Sequence, residues 1–410
     1  MMPIGKLSAA MAVFLSTTVA AHADCGIEKG SVRLLSNNFE ALRAIGRAVQ
    51  DCASDSVEVT INQTIEHKTI QGPALSSDPA AYTVAMIASN SIVPLLNANL
   101  VRPLDDYVAK WGQDLQDHQL IRVDGKIMAI AFMANGQHLF YRRDILEDNG
   151  ITPPETFADV VKAAQALRDA GVMEAPFAAS YKPGWDIAAE FVNLYLGTGA
   201  DFFKPGSAEL DIQNQNGIAT LETMKALSGQ MRKDFITDDA NTLAPLWKEG
   251  QLAMLIAWGS RARELLDTTE SEFAGETVLS AMPAVEAGGV PAAALWWDGF
   301  ALARNISDED AEASFRAMMH AASPEMARDH RESAVWLIKG YEPTPPAKGV
   351  AANIAGGARP YPMTPYMGLL HGALSENLAE FIQGEETAEQ ALEDVSRAYG
   401  TAARESGFLD

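Results

Sequence analysis

Short apolar runs that break at small polar residues and pass directly into helices recur along this chain, and this alternation restricts its fold more than any other feature. Ser31 to Phe39 reads as a strand ending at Asn37-Asn38, followed by a helix with Leu42, Ile45 and Val49 on one face. Val57 to Asn62 alternates as a half-buried strand should. Tyr82 to Ser91 is apolar until Ser89-Asn90 and then enters a helix. Gly125 to Leu146 holds two strand-like runs around Asn135-Gly136. Helix starts are marked by Pro153 to Thr156, by Ser307 ahead of Asp308, Glu309 and Asp310, and by Gly384 to Leu392. Strands alternating with helices predict an α/β fold whose sheet is largely parallel and covered on both faces. Ligands of such sheets bind beyond the carboxyl ends of the strands. The proline- and glycine-rich stretch from Gly340 to Pro365 reads as an irregular connection.

At 410 residues the chain exceeds what one hydrophobic core holds, so two domains are expected. Lys6, the apolar and small-residue run Leu7 to Val19, and the triplet Ala21-His22-Ala23 match a secretory signal peptide over residues 1–23. The alternative, a membrane anchor, needs ~20 apolar residues, more than this run supplies. Asp24 ahead of Cys25 disagrees with a lipoprotein cleavage site. The expected product is a soluble, exported protein. In an oxidising compartment Cys25 and Cys52 can pair, because the first strand and the returning helix bring them to one end; two buried free thiols are the alternative. The net charge of −23 becomes −24 once the single lysine of the leader is removed. Such a surface repels nucleic acid and anionic membranes but leaves the sign of a ligand open.

Signatures of catalysis are missing. There is no HExxH, CxxC, P-loop or G-x-S-x-G, and the histidines are scattered, so neither enzyme activity nor a cofactor or metal is expected. The 54 acidic residues make chance carboxylate pairs easy, which leaves an exported glycosidase as the enzymatic alternative. Four of the seven tryptophans fall between Trp247 and Trp297, in runs that read as strands ending in an aromatic residue and a glycine. A flat indole stacks on the C–H faces of a sugar ring, so these residues point to recognition of a small molecule.

Phe140 to Asp144 with Gly150 to Phe157, then Gly250 to Met254, Trp297 to Phe300 ahead of Ser307, and Gly384 to Leu392 occur in an order that resembles the family 1 extracellular solute-binding proteins of bacterial ABC importers, the maltose-binding-protein-like group. The resemblance spans nearly the whole mature chain. It implies two α/β lobes of the type II periplasmic binding protein fold, joined by a multi-strand hinge with the ligand cleft between them. It places one lobe at residues 24–133 plus 284–337 and the other at 134–283 plus 338–410. It further implies a monomeric binder that closes on a carbohydrate or sugar derivative and delivers it to permease subunits in the inner membrane.

Candidate contacts follow from strand ends and aromatic placement. Asn37 and Asn38 can both donate to and accept from hydroxyls, though they also suit a helix cap. Ser89 and Asn90 follow the third strand, and Asn135 stands at the first crossover. Tyr181, Lys182 and Trp185 share a loop before a helix, and Trp258 ends a strand. Strand alternation sends only one of Trp296 and Trp297 inward; Trp297 is favoured because Asp298 and Gly299 follow it. Arg359 and Tyr361 precede the C-terminal helices. Lys182 and Arg359 motivate a second reading, an anionic ligand such as a glycerophosphodiester or a sulfonated sugar.

Overall fold

The computed structural model describes residues 25–410, so the leader expected at residues 1–23 lies outside the described residues. The strands are β1 (Gly30–Ser36), β2 (Val57–Gln63), β3 (Val84–Ala88), β4 (Leu120–Val123), β5 (Lys126–Asn135), β6 (Gln137–Arg142), β7 (Phe177–Ala178), β8 (Met254–Trp258), β9 (Thr277–Ser280), β10 (Ala294–Leu302), β11 (Val335–Trp336) and β12 (Arg359–Pro360). They form two sheets. The larger runs β11-β5-β10-β3-β1-β2, with β4 beside β5 and β12 beside the start of β10; the smaller runs β7-β8-β6-β9. Each sheet carries helices and its own main core, so the molecule has two α/β lobes. Leu34, Ile45, Phe132, Phe300 and Phe315 sit in the first core, and Phe191, Tyr195, Leu221, Leu392 and Tyr399 in the second. Each such side chain, fully buried, contributes ~1.5–3 kcal/mol.

The first half of the large sheet follows the alternation. β1 pairs in parallel with β2 and β3, because the helices Glu40–Gln50 and His67–Ser76 return the chain between strands. The second half does not. β4 and β5 are joined by a tight turn with Asp124 and Gly125 at positive φ, which permits only antiparallel pairing. β10 runs antiparallel to both β3 and β5. The expectation of a largely parallel sheet is therefore corrected to a mixed one. β10 also does not end at its tryptophans; it continues through Gly299 to Leu302. A Cβ on Gly299 would lie 2.2 Å from the carbonyl oxygen of Ile130, so the close approach of β5 requires glycine there.

Several local expectations hold. Leu42, Ile45 and Val49 are buried on the first helix. Thr156 and Ser307 cap the helices Phe157–Asp169 and Asp308–Ala321. Cys25 and Cys52 are disulfide-bonded, with their Cα atoms 5.5 Å apart. Two expectations fail. Trp247 lies on the helix Ala240–Lys248 and not on a strand. The stretch from Gly340 to Pro365 contains the helix Lys348–Ala355. Its Gly349 is not a breaker but a contact, since a Cβ there would meet the His138 ring at 2.3 Å.

Candidate ligand cleft

Both sheets aim their ends at one cleft. The carboxyl ends of β1 and β3 deliver Asn37, Asn38 and Asn90, and that of β2 is followed by His67 and Lys68. Because β10 is antiparallel to β3, its early residues Trp296 and Asp298 arrive at this same edge, with Asp298 in register with Ala88. From the other lobe come Trp258 at the end of β8, Ser260 just beyond it, and Trp185 and Asp186 in the first turn of the helix Trp185–Gly197. The cleft has a volume of about 810 Å³, toward the upper end of the usual range for small-molecule sites.

Trp185, Trp258 and Trp296 form a corner, with ring centroids 5.6–5.8 Å apart and planes inclined by 34–76°. Beneath it lie Tyr361, 4.0 Å from Trp296, and His371, 5.2 Å from Trp185. The hydroxyl of Tyr361 is 3.2 Å from His371 Nδ1, and this buried pair fixes the tilt of the floor. Burial lowers the His371 imidazole to about 4, so it is neutral.

Charged groups ring the corner. Arg261 donates to Glu264 and Asn241, Lys248 to Glu264 and Glu270, and Arg43 to Asn38. Arg263 crosses the cleft to Glu40 and neighbours Ser333. Lys68 also reaches across, its Nζ 4.3 Å from the Trp185 ring centroid. Burial pushes the Asp298 carboxyl up to about 7, with Lys68 opposing. Burial and then Asp239 push Asp186 up to about 6, against Lys182 and Lys68. Four buried polar atoms of the lining have no hydrogen-bond partner among the described residues: His67 Nδ1, Asn90 Oδ1, Trp185 Nε1 and Trp296 Nε1. Such atoms are costly to leave unmet, and a polyhydroxylated guest can satisfy them.

The structure brings together Asn37, Asn38, Asn90, Asn135, Trp185, Trp258 and Asp298 at the cleft. Three of these are occupied locally, Asn38 through the Arg43 guanidinium that donates to its Oδ1. Asn37 Oδ1 accepts from the Asn38 backbone, and Asn135 stitches the end of β5 to Ser260 through its Oδ1 and Nδ2. The remaining candidates lie off the lining. Trp297 points to the opposite face of β10 and packs by Leu75 and Val93. Period-two alternation explains this, since Asp298 and Trp297 cannot share a face and Trp296 must lie on the side of Asp298. Ser89 is buried, its Oγ accepting from the Trp297 backbone at 3.0 Å. Tyr181 is fully buried, donating to the Met224 carbonyl. Lys182 pairs with Asp239, and Arg359 with Asp201 and the Ala200 carbonyl. Tyr361 supports Trp296 from below instead of lining the cleft.

Sequence reasoning missed Lys68, Asp186, Trp296 and Arg263. For Lys68 a signal existed, because it follows the carboxyl end of β2 just as Asn37 follows β1. For Arg263 there was none, as its partner Glu40 is more than two hundred residues away.

A two-lobed α/β molecule with a polar, aromatic-floored cleft is the build of a solute receptor. The family model for bacterial extracellular solute-binding proteins matches residues 62–322, and the chain belongs to that family. Among solved structures it is similar to maltose-bound MalE3 of T. maritima, with a TM-score of 0.77 and 16% identity over 91% of this chain and 99% of that one. It is also similar to a solute-binding protein of Agrobacterium vitis S4 with bound D-mannitol (TM-score 0.75, 16% identity, 93% and 100% covered). A third is the GacH receptor of Streptomyces glaucescens, solved unliganded and with acarbose (TM-score 0.77, 16% identity, 93% and 100% covered). At these identities the likeness establishes the shared two-lobed fold.

Proposed function

We propose that this protein is the periplasmic receptor of an ABC importer, capturing a carbohydrate or polyol between its lobes and handing it unchanged to membrane permease subunits. The observation that carries this reading is the three-tryptophan corner bordered by unmated hydrogen-bonding atoms. The indoles offer flat apolar faces to sugar C–H groups, while Asn90, Asp186, Asp298 and Lys68 offer acceptors and donors for hydroxyls. The carbohydrates and polyol named for the similar structures, maltose and D-mannitol among them, support the same ligand class. The lobes assigned above, 24–133 with 284–337 and 134–283 with 338–410, would close on a guest that touches both walls. Binding of that kind shifts the population toward the closed state, as the general repertoire of hinge closure for periplasmic binding proteins describes.

The anionic reading loses its residues, because Lys182 and Arg359 are committed to the carboxylates of Asp239 and Asp201. Thermal-shift and tryptophan-quenching titrations against mono- and disaccharides and alditols test the proposal. A true ligand at a hundred times its dissociation constant stabilises by ~2.7 kcal/mol. Recovery of the same sugar intact after hours is expected. Steady release of a cleaved product would replace the receptor reading with the glycosidase one.

A further inference from the structure

Lys68 stands where a ligand should be. Its helix, His67–Ser76, belongs to the large-sheet lobe, yet its ammonium lies over the face of Trp185, which belongs to the other. The buried His371 ring covers Trp185 from the protein side, so Lys68 takes the face open to the cleft. The side chain reaches solvent, but both walls surround the ammonium closely enough that burial lowers its pKa. It forms no hydrogen bond or ion pair among the described residues; its charged neighbours, beyond 4 Å, are Asp298 and Asp186. Those two carboxylates accept no hydrogen bonds among the described residues either. One ammonium thus faces two carboxylates, and every other cation of the lining is committed elsewhere: Arg263 to Glu40, Arg261 to Glu264, Lys248 to Glu264 and Glu270, Arg43 to Asn38.

We propose that this corner is built for a protonated amine borne on the guest, so that the ligand is an amino sugar or an aminated polyol and Lys68 keeps its place until it arrives. This rests on the reading of the cleft as a site for polyhydroxylated molecules and names the charge class within it. The arriving amine takes the cation–π position over Trp185 and donates to Asp186 and Asp298, while Lys68 swings on its exposed stem into water. An anion would meet two carboxylates and no free guanidinium. A neutral ring would leave Lys68 in place, or displace it with nothing to replace its charge. The buried indole N–H of Trp296, without a hydrogen-bond partner among the described residues, remains for a ring hydroxyl.

Proton linkage supplies a second readout. Asp298 is faced by Lys68, and Asp186 by Asp239, Lys182 and Lys68; His67 and His371, both lowered by burial to about 4, stay neutral. A ligand amine favours the ionised carboxylates, so its affinity falls as pH drops through about 7 and about 6, where they take up protons.

Calorimetric titration of the exported, mature chain with glucosamine and galactosamine, as mono- and disaccharides, against their N-acetylated counterparts and the parent neutral sugars decides the matter. At pH 7.0 the best free-amine probe is expected to bind about ten-fold or more tighter than its N-acetylated and neutral partners. The advantage should shrink at pH 5.0, where the amine stays charged and the carboxylates do not. It should vanish in Asp186→Asn/Asp298→Asn, whereas Lys68→Met, which keeps the stem and removes the competing charge, should retain or increase it. Neutral or N-acetylated sugars binding as tightly as the free amines would overturn the amine assignment and leave the carbohydrate receptor standing. Binding by none of the probes would bring down both.

Discussion

Glu190 offers the sharpest test of the physics beneath the cleft. It lies one turn below Asp186 on the helix Trp185–Gly197, is 2% exposed, and accepts from Gln137 Nε2 at 2.8 Å. Gln137 in turn accepts from Asn193, and Asn193 accepts from the backbone N–H of Ala294. Asn353 donates to the Gln137 carbonyl and accepts from the Met282 backbone. This knot ties together the first residues of β6 and β10 and the segment after β9, directly under the aromatic floor. Burial raises the Glu190 carboxyl from 4.5 to about 8, so it is protonated at neutral pH. An acid with a raised folded-state pKa makes the folded state bind more protons than the unfolded one. Stability therefore falls as pH rises from about 4.5 to about 8 and is flat beyond. Each unit corresponds to ~1.36 kcal/mol. Glu190→Gln, a permanently neutral isostere, avoids that loss. Relative to the parent it should gain less than ~1 kcal/mol at pH 5 and on the order of 3 kcal/mol at pH 7. Urea unfolding of both proteins between pH 4.5 and 8.5 measures the difference. Parallel stability–pH curves would show that Glu190 does not hold its proton and would refute the reasoning.

Four further outcomes follow from the structure. Trp258→Ala should weaken ligand binding by ten-fold or more in fluorescence titration, whereas Trp297→Ala should spare affinity and cost stability approaching ~3 kcal/mol, because Trp297 packs within its own lobe. Gly299→Ala should destabilise by ~1–3 kcal/mol or more, read by thermal melting, since its Cβ would press on the Ile130 carbonyl. Replacing Cys25 and Cys52 by serine should cost about 3.5 kcal/mol in urea unfolding, from the loop entropy of a 27-residue separation. Glu40→Gln, which breaks the exposed pair with Arg263 across the cleft, should raise the ligand off-rate about two- to five-fold at low salt and change little at high salt, measured by stopped flow.

Much of the scaffold was readable because its causes are local. The run from Ser31 to Ser36, the capping side chains of Thr156 and Ser307, and the proximity of Cys25 to Cys52 depend on neighbours within a few residues or one strand–helix unit. The expectation from strand ends put Asn37, Asn38 and Asn90 where the structure has the candidate cleft. The antiparallel half of the large sheet was not readable, because β10 meets β3 and β5 across more than 150 residues and nothing in its own composition fixes its direction. The helix at Lys348–Ala355 was hidden by glycines that serve close packing against His138 and Pro291.

The candidate cleft divides along the same line. Sequence alone determined the α/β alternation, the nearness of Cys25 to Cys52 and a store of aromatic and amide side chains at strand ends, while the two lobes entered through the family resemblance and the disulfide through the structure. The first three follow from periodicity and short-range chemistry. Only the tertiary structure decided that Trp296 and not Trp297 faces the cleft, that Lys182 and Arg359 are spent on distant carboxylates, and that Lys68 lies across the gap on Trp185. Those outcomes depend on strand register and on the meeting of two lobes, and a one-residue change of face or a partner in the other half of the chain leaves no mark on local sequence.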